Sequence, residues 1–98
     1  MIRRIVHMHF DNELVAQFLE LFENTKMQIR HFPGCRSLEL LQDPTDSAHL
    51  STLSTWDDEG ALNIYRQSEL FISTWAQTKL LFSQKPLALT YFICSNTV

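Results

Sequence analysis

His7 and His9 stand two residues apart in "MIRRIVHMHF", and that spacing can do chemistry. Side chains alternate along a strand, so both imidazoles face the same side. Imidazole titrates near neutral pH, which suits it to acid, base or metal-ligand roles. No third histidine, aspartate or glutamate is evident as a partner in the sequence, so no metal is assigned. Lining a cleft or hydrogen bonding is the plainer role for the pair. The second candidate stretch is "TWDDEGALNIYRQSELFISTWAQTKLLF", Thr55 to Phe82. A buried Tyr65 hydroxyl needs a partner, which suits it to the rim of a cleft. Trp56 falls where a strand passes into a helix and reads as a packing plug. Phe71, Trp75 and Phe82 follow at i, i+4 and i+11, a core-facing helical stripe. Trp75 is also placed to wall a pocket. Arg66 is the cation to test if a substrate is anionic. The candidates are therefore His7, His9 and Tyr65 for catalysis, with Trp56, Arg66, Phe71 and Trp75 for a substrate pocket.

Other chemistries find no support. Neither Cys35 nor Cys94 has a basic neighbour in sequence that activates a thiolate. No motif of a Ser-His-Asp hydrolase is present. Two cysteines are too few for a disulfide framework, and their spacing fits no zinc pattern.

These residues must be positioned by a few elements. Residues 2–10 are apolar and β-branched without Gly or Pro, and predict a strand. In "DNELVAQFLELFENTKMQIRHF", Leu14, Phe18, Leu21, Phe22, Thr25 and Ile29 recur at helical spacing. Asp11 or Asn12 is the expected N-cap. Pro33 and Gly34 stop the helix and turn the chain. Residues 35–42 and 48–56 predict two strands of a hairpin around the "DPTDS" turn. Asp57 or Asp58 caps a helix over about 58–67, and Ser68 caps a further helical segment after a bend. Pro86 precedes a last strand, "LALTYFICS". The order β-α-β-β-α-β predicts an α+β, ferredoxin-like fold. Its four-stranded antiparallel sheet has strands 1 and 3 at the centre and both helices on one face. Cys35 and Cys94 then lie on opposite edges, three strand spacings of about 4.8 Å apart and out of disulfide reach.

At 98 residues the chain is one domain, 1–98. Its 45% hydrophobic content is that of a globular chain. A net charge of −3 argues against nucleic acid or anionic membrane as partners. No apolar run reaches the roughly 20 residues of a membrane span, and polar residues interrupt any signal-peptide core. A cytoplasmic protein is expected.

Both faces of the sheet carry apolar residues. Leu87, Leu89, Tyr91 and Ile93 alternate with Ala88, Thr90, Phe92 and Cys94. In strand 1, Ile2, Val6, Met8 and Phe10 oppose Ile5. Helices cover one face, and monomers rarely expose such a patch on the other. A C2 homodimer joining two sheets face to face, a barrel-like α+β core, is expected.

The run "FPGCRSLELLQDPTDSAHLSTLSTWDDEGALNIYRQSELF" resembles the antibiotic biosynthesis monooxygenase domains. The matching residues are the Pro33-Gly34-Cys35 turn, the Asp43-Pro44 hairpin, Trp56, Glu59, Ala61, Leu62, Tyr65, Ser68 and Phe71. The resemblance implies a dimeric α+β barrel. It also implies a cofactor-independent monooxygenase acting on a small aromatic or quinol-like substrate, with no cofactor. A non-catalytic ligand-binding or interaction module on the same scaffold is the alternative. The haem-degrading branch of these domains keeps a strand-1 asparagine, a helix-2 tryptophan and a haem-ligating histidine. Here the tryptophan's place falls near Tyr65, the histidine's at or near Trp75, and strand 1 has no asparagine. These departures argue against haem.

Overall fold

The computed structural model of the chain describes residues 1–97. Strand β1 (Ile2–His9) is followed by a 3-10 turn (Asn12–Leu14) and helix α1 (Val15–Arg30). A hairpin of β2 (Cys35–Asp43) and β3 (Asp46–Trp56) comes next. Two short helices, α2 (Glu59–Arg66) and α3 (Glu69–Lys79), lead to β4 (Leu87–Phe92). The sheet order is β2-β3-β1-β4, antiparallel throughout, with β1 and β3 central. The expected α+β, ferredoxin-like architecture is the one observed.

Local chemistry sets most boundaries. The Asp58 carboxylate accepts from the Ala61 amide at 2.8 Å and caps α2. The Ser68 hydroxyl accepts from the Phe71 amide and starts α3. The Asp43 carboxylate accepts from the Thr45 amide and hydroxyl, which closes the hairpin and holds that carboxyl below its usual range. Three boundaries differ from expectation. Asp11 makes no side-chain cap, and its backbone carbonyl instead accepts from Leu14 to form the 3-10 turn. Helix α3 stops at Lys79, short of Phe82, which forms an isolated bridge with Phe10. Strand β4 ends at Phe92, so Cys94 lies beyond the edge strand rather than within it. Cys94 is exposed, Cys35 is buried, and both are free thiols.

The core is in two parts. At one end of the sheet, Met8, Phe10, Phe18, Leu50 and Leu81 pack together. At the other, Ile2, Cys35, Trp56 and Leu62 do. The second cluster depends on the turn before β2. Gly34 has φ +88°, a conformation that side chains with a Cβ rarely adopt. A Cβ there would also lie 2.5 Å from the Ala61 Cβ of helix α2. The Gly34 carbonyl accepts from the Asp57 amide, which ties this turn to the end of β3. Gly34→Ala therefore combines backbone strain with a steric clash. It should destabilise the chain by about 1–3 kcal/mol, seen as a lowered urea midpoint with an unchanged slope.

Candidate functional site

Residues of β1 with even numbers face the helices. Ile2 belongs to one core cluster and Met8 and Phe10 to the other. Between them Arg4 and Val6 floor a cavity of about 280 Å³, enclosed by the sheet below and α1, α2 and α3 above. Thr52 and Ser54 from β3 and Ala88 from β4 add short side chains to the floor, beside the larger Met8, Leu38 and Trp56. Phe18, Phe22 and Ile29 enter from α1, Tyr65 and Arg66 from α2, and Phe71, Thr74 and Trp75 from α3.

Aromatic rings run around this space in an unbroken series of contacts. Phe32 meets Trp56 and Tyr65 edge-on, and Trp56 stacks on Tyr65 with centroids 4.8 Å apart. Tyr65 meets Phe71, which stacks on Trp75 at an interplanar angle of 11°. Trp75 touches Phe82, Phe82 touches Phe10, and Phe10 stacks on Phe18 at 4.3 Å. Such ring pairs add about 0.5–1.5 kcal/mol each beyond their buried area, so the wall is stiff.

The polar groups in the lining are mostly engaged. Trp56 donates its indole N–H to the Ser54 hydroxyl at 2.9 Å. The Thr25 and Thr78 hydroxyls donate back to carbonyls of their own helices. Tyr65 is enclosed by rings, and burial pushes its phenol up to about 12. At neutral pH it is a neutral hydroxyl, able to donate a hydrogen bond and unable to act as a base. Arg4 gives an N–H to Thr90 Oγ1 at 3.3 Å. Burial, then the neighbouring Arg66 charge, lowers its pKa. Among the described residues, no Asp, Glu, His, Lys or Cys lines the cavity.

The structure thus gathers Trp56, Tyr65, Arg66, Phe71 and Trp75 around one space and leaves out His7 and His9. The histidines occupy odd positions of β1, which share a face with Ile5, away from the helices. His7 is opposite Ser51 in the β1–β3 register and hydrogen-bonds its hydroxyl at 3.0 Å. His9 is opposite His49 and stacks on it at 4.2 Å, while His7 tilts against His49 at 5.6 Å. His49 Nδ1 approaches the Asp43 carboxylate at 3.5 Å. Among the described residues, no group of three or more His, Cys, Asp or Glu has the geometry to hold a metal. The expectation that both histidines and Tyr65 share a cleft is corrected by strand alternation. Parity along β1 carried that signal, because the buried Ile2, Met8 and Phe10 are all even. Parity likewise puts Arg4 with them, a site residue that the sequence reading passed over.

The fold and the cavity define a class: a ferredoxin-like domain with an aromatic, ligand-sized hollow between helices and sheet. The sequence profile of the antibiotic biosynthesis monooxygenase family matches residues 1–76, and the chain belongs to that family. A crystal structure of an antibiotic biosynthesis monooxygenase superposes with TM-score 0.90 at 21% identity, over 97% of this chain and 100% of that one. A conserved protein from Methanosarcina mazei superposes at 0.88 and 21% identity, over 92% and 89%. An N63A variant of SnoaB, a cofactor-independent oxygenase from Streptomyces nogalater, superposes at 0.85 and 14% identity, over 97% and 94%. No curated protein matches the chain. Among the described residues no helix is long and apolar enough to cross a membrane.

The buried phenol has a consequence for stability. Burial holds the Tyr65 proton up to about pH 12 when folded, against an ordinary phenol value of 10.0. Between these values the unfolded chain has lost the proton and the folded chain keeps it, so stability falls as pH rises. Tyr65→Phe should flatten the loss between pH 10 and 12 by an amount on the order of 2 kcal/mol. Chemical denaturation of both proteins across that range measures it.

Proposed function

We propose that this chain is a cofactor-independent monooxygenase acting on a small aromatic or quinol-like molecule held in the cavity. The observation that carries the proposal is the hollow itself, walled by stacked rings in a chain of this family. Cofactor-free oxygenation asks little of a protein. An electron-rich substrate ionises, and its carbanion passes an electron to dioxygen. The resulting radicals join as a hydroperoxide, which loses water. A ring methylene plus dioxygen becomes a ring carbonyl plus water, so the substrate supplies every electron. The cavity contributes a largely apolar, ring-walled space, in which polar groups act more strongly than in water. Tyr65 supplies a neutral hydrogen-bond donor. Trp56, Phe71 and Trp75 supply the stacking surface. His7 and His9 take no part in this step.

Oxygen uptake with a panel of quinols and polyhydroxylated aromatics tests the reading, with turnover expected. Ala88 is exposed on an edge strand and also lines the cavity, so Ala88→Phe fills the slot without overpacking the two cores. It should lower kcat/KM at least tenfold with the melting temperature nearly unchanged. No uptake with any member of the panel rejects the enzyme reading.

A non-catalytic binding module is the second reading. Among the described residues no Asp, Glu or His lines the cavity, which favours it. Co-purification of an aromatic ligand without oxygen uptake would support this alternative.

The assembly proposed is a C2 homodimer through the uncovered sheet face. Leu41, Leu87 and Tyr91 are exposed large apolar residues on that face, beside Ile5 and Leu53. His49 Nε2 is buried there with no hydrogen-bond partner among the described residues. Sedimentation should report twice the 11.5 kDa chain mass, and Leu87→Asp should shift the species toward monomer.

A further inference from the structure

Two arginines line the cavity, and among the described residues no aspartate or glutamate lines it with them. Arg4 projects from the middle of β1, and Arg66 from the last turn of α2. The ion pairs among the described residues are Lys26–Glu23, Arg36–Asp57 and His49–Asp43, and neither cavity arginine belongs to one. Arg66 has a structural use, because a cation complements the C-terminal end of a helix dipole. Arg4 has no such use. On the helix side of β1 it stands between Ile2 and Met8, both almost wholly buried. Thr90 occupies one nitrogen of a fork that carries five donors.

Placing a charge there costs desolvation, and placing a second cation beside it adds repulsion. The cost is not imposed by composition. The chain carries 11 acidic residues against 8 Lys and Arg, yet none of the acidic side chains lines the cavity. An anion held between the two arginines relieves both costs, and planar guanidinium forks match the two-oxygen geometry of a carboxylate or a chelating phenolate.

We propose that Arg4 and Arg66 clamp an oxyanion, so that the ligand of this cavity is a flat aromatic molecule bound through an ionised oxygen. This rests on the proposed function only in taking the cavity as the ligand site. The clamp also answers the missing base. Two nearby cations favour the ionised form of a bound phenol or enol. The substrate O–H bond then breaks with its proton released to water, and the ring holds the electron pair that the oxygenation requires. Arg4 and Arg66 are in this view groups that touch the substrate, and specificity follows from charge as well as shape.

The test is a set of titrations of the full chain with three probes. 1,2-Dihydroxyanthraquinone reports phenol ionisation by colour, 2-naphthoate carries a permanent carboxylate, and 2-naphthamide is its neutral isostere. A charge-assisted hydrogen bond is worth enough for roughly tenfold in affinity, so the naphthoate should bind at least that much more tightly than the amide. The bound dye should ionise at lower pH than the free dye, and added salt should weaken both anions. A shift of the dye without a naphthoate preference assigns the clamp to phenolates, and the reverse assigns it to carboxylates. Arg66→Gln, at an exposed helix end, should lower anion affinity roughly tenfold and leave the amide unchanged. Arg4→Gln should do the same, with Arg4→Lys retaining part of the preference. If Arg4→Gln fails to fold, Arg66→Gln and the wild-type preferences still decide. The proposal is overturned if the amide binds as tightly as the naphthoate and the dye titrates as it does in water. It is equally overturned if Arg66→Gln weakens all three probes alike. A wild type that prefers anions but consumes no oxygen keeps the clamp and loses the monooxygenase. A double Arg→Gln variant that oxidises quinols at full kcat/KM does the opposite.

Discussion

Trp56 is the fixed point from which the helical layer is hung. It ends β3, opposite Ile2 of β1 and Cys35 of β2, so three strands meet beneath it. It is only 1% exposed, and its indole N–H is satisfied by Ser54. Tyr65 stacks directly on it, which sets the rotation of α2 about its own axis. The backbone bond from Asp57 to Gly34, and the approach of Gly34 to Ala61, lock the same corner. The positions of Tyr65 and Arg66, and through Phe71 that of Trp75, follow from this one seat.

The opposite end of the sheet is held just as firmly by Phe10 on Phe18, backed by Met8, Leu50 and Leu81. With the helices anchored at both ends, the middle need not fill. The floor between them includes the small side chains of Val6, Thr52, Ser54 and Ala88. Protein interiors normally close such gaps, because lining atoms lose dispersion contacts where nothing faces them. Here the span between two rigid clusters prevents collapse. The hollow is therefore a product of where the core is placed, not of any single residue that hollows it out.

Strand alternation divides the sheet into two environments. The helix side holds the aromatic cavity, which Arg4 and Arg66 line. The other side gathers His7, His9 and His49 with Ser51 and Asp43, among Ile5, Leu53, Leu87 and Tyr91. One residue of register would exchange the two sets. The imidazoles are excluded from the cavity by this parity, whatever their intrinsic chemistry. Any ionisation inside the cavity then falls to electrostatics, where, among the described residues, Arg4 and Arg66 are the only cations that line it.

Much of the fold was legible in the chain's local chemistry. The Asp58 and Ser68 caps, the Pro33-Gly34 stop, the Asp43 hairpin and the alternating strands each act over a few residues, so the sequence states them directly. Where boundaries moved, longer-range contacts had won: Phe82 leaves the helical pattern to bridge Phe10, and Asp11 turns the chain with its backbone rather than its side chain. The site was half legible. Tyr65, Arg66, Phe71 and Trp75 announce themselves by helical spacing next to Trp56, whereas Arg4 looks like any charge in an N-terminal strand. By itself the sequence determined the elements, their order and the amphipathic face of each, because those depend on neighbours in the chain. Only the tertiary structure decided that the histidines and the tyrosine lie on opposite sides of the sheet. It alone decided that Arg4 and Arg66 line one cavity, since that depends on which face of β1 the helices cover and on how far apart the two core clusters hold them.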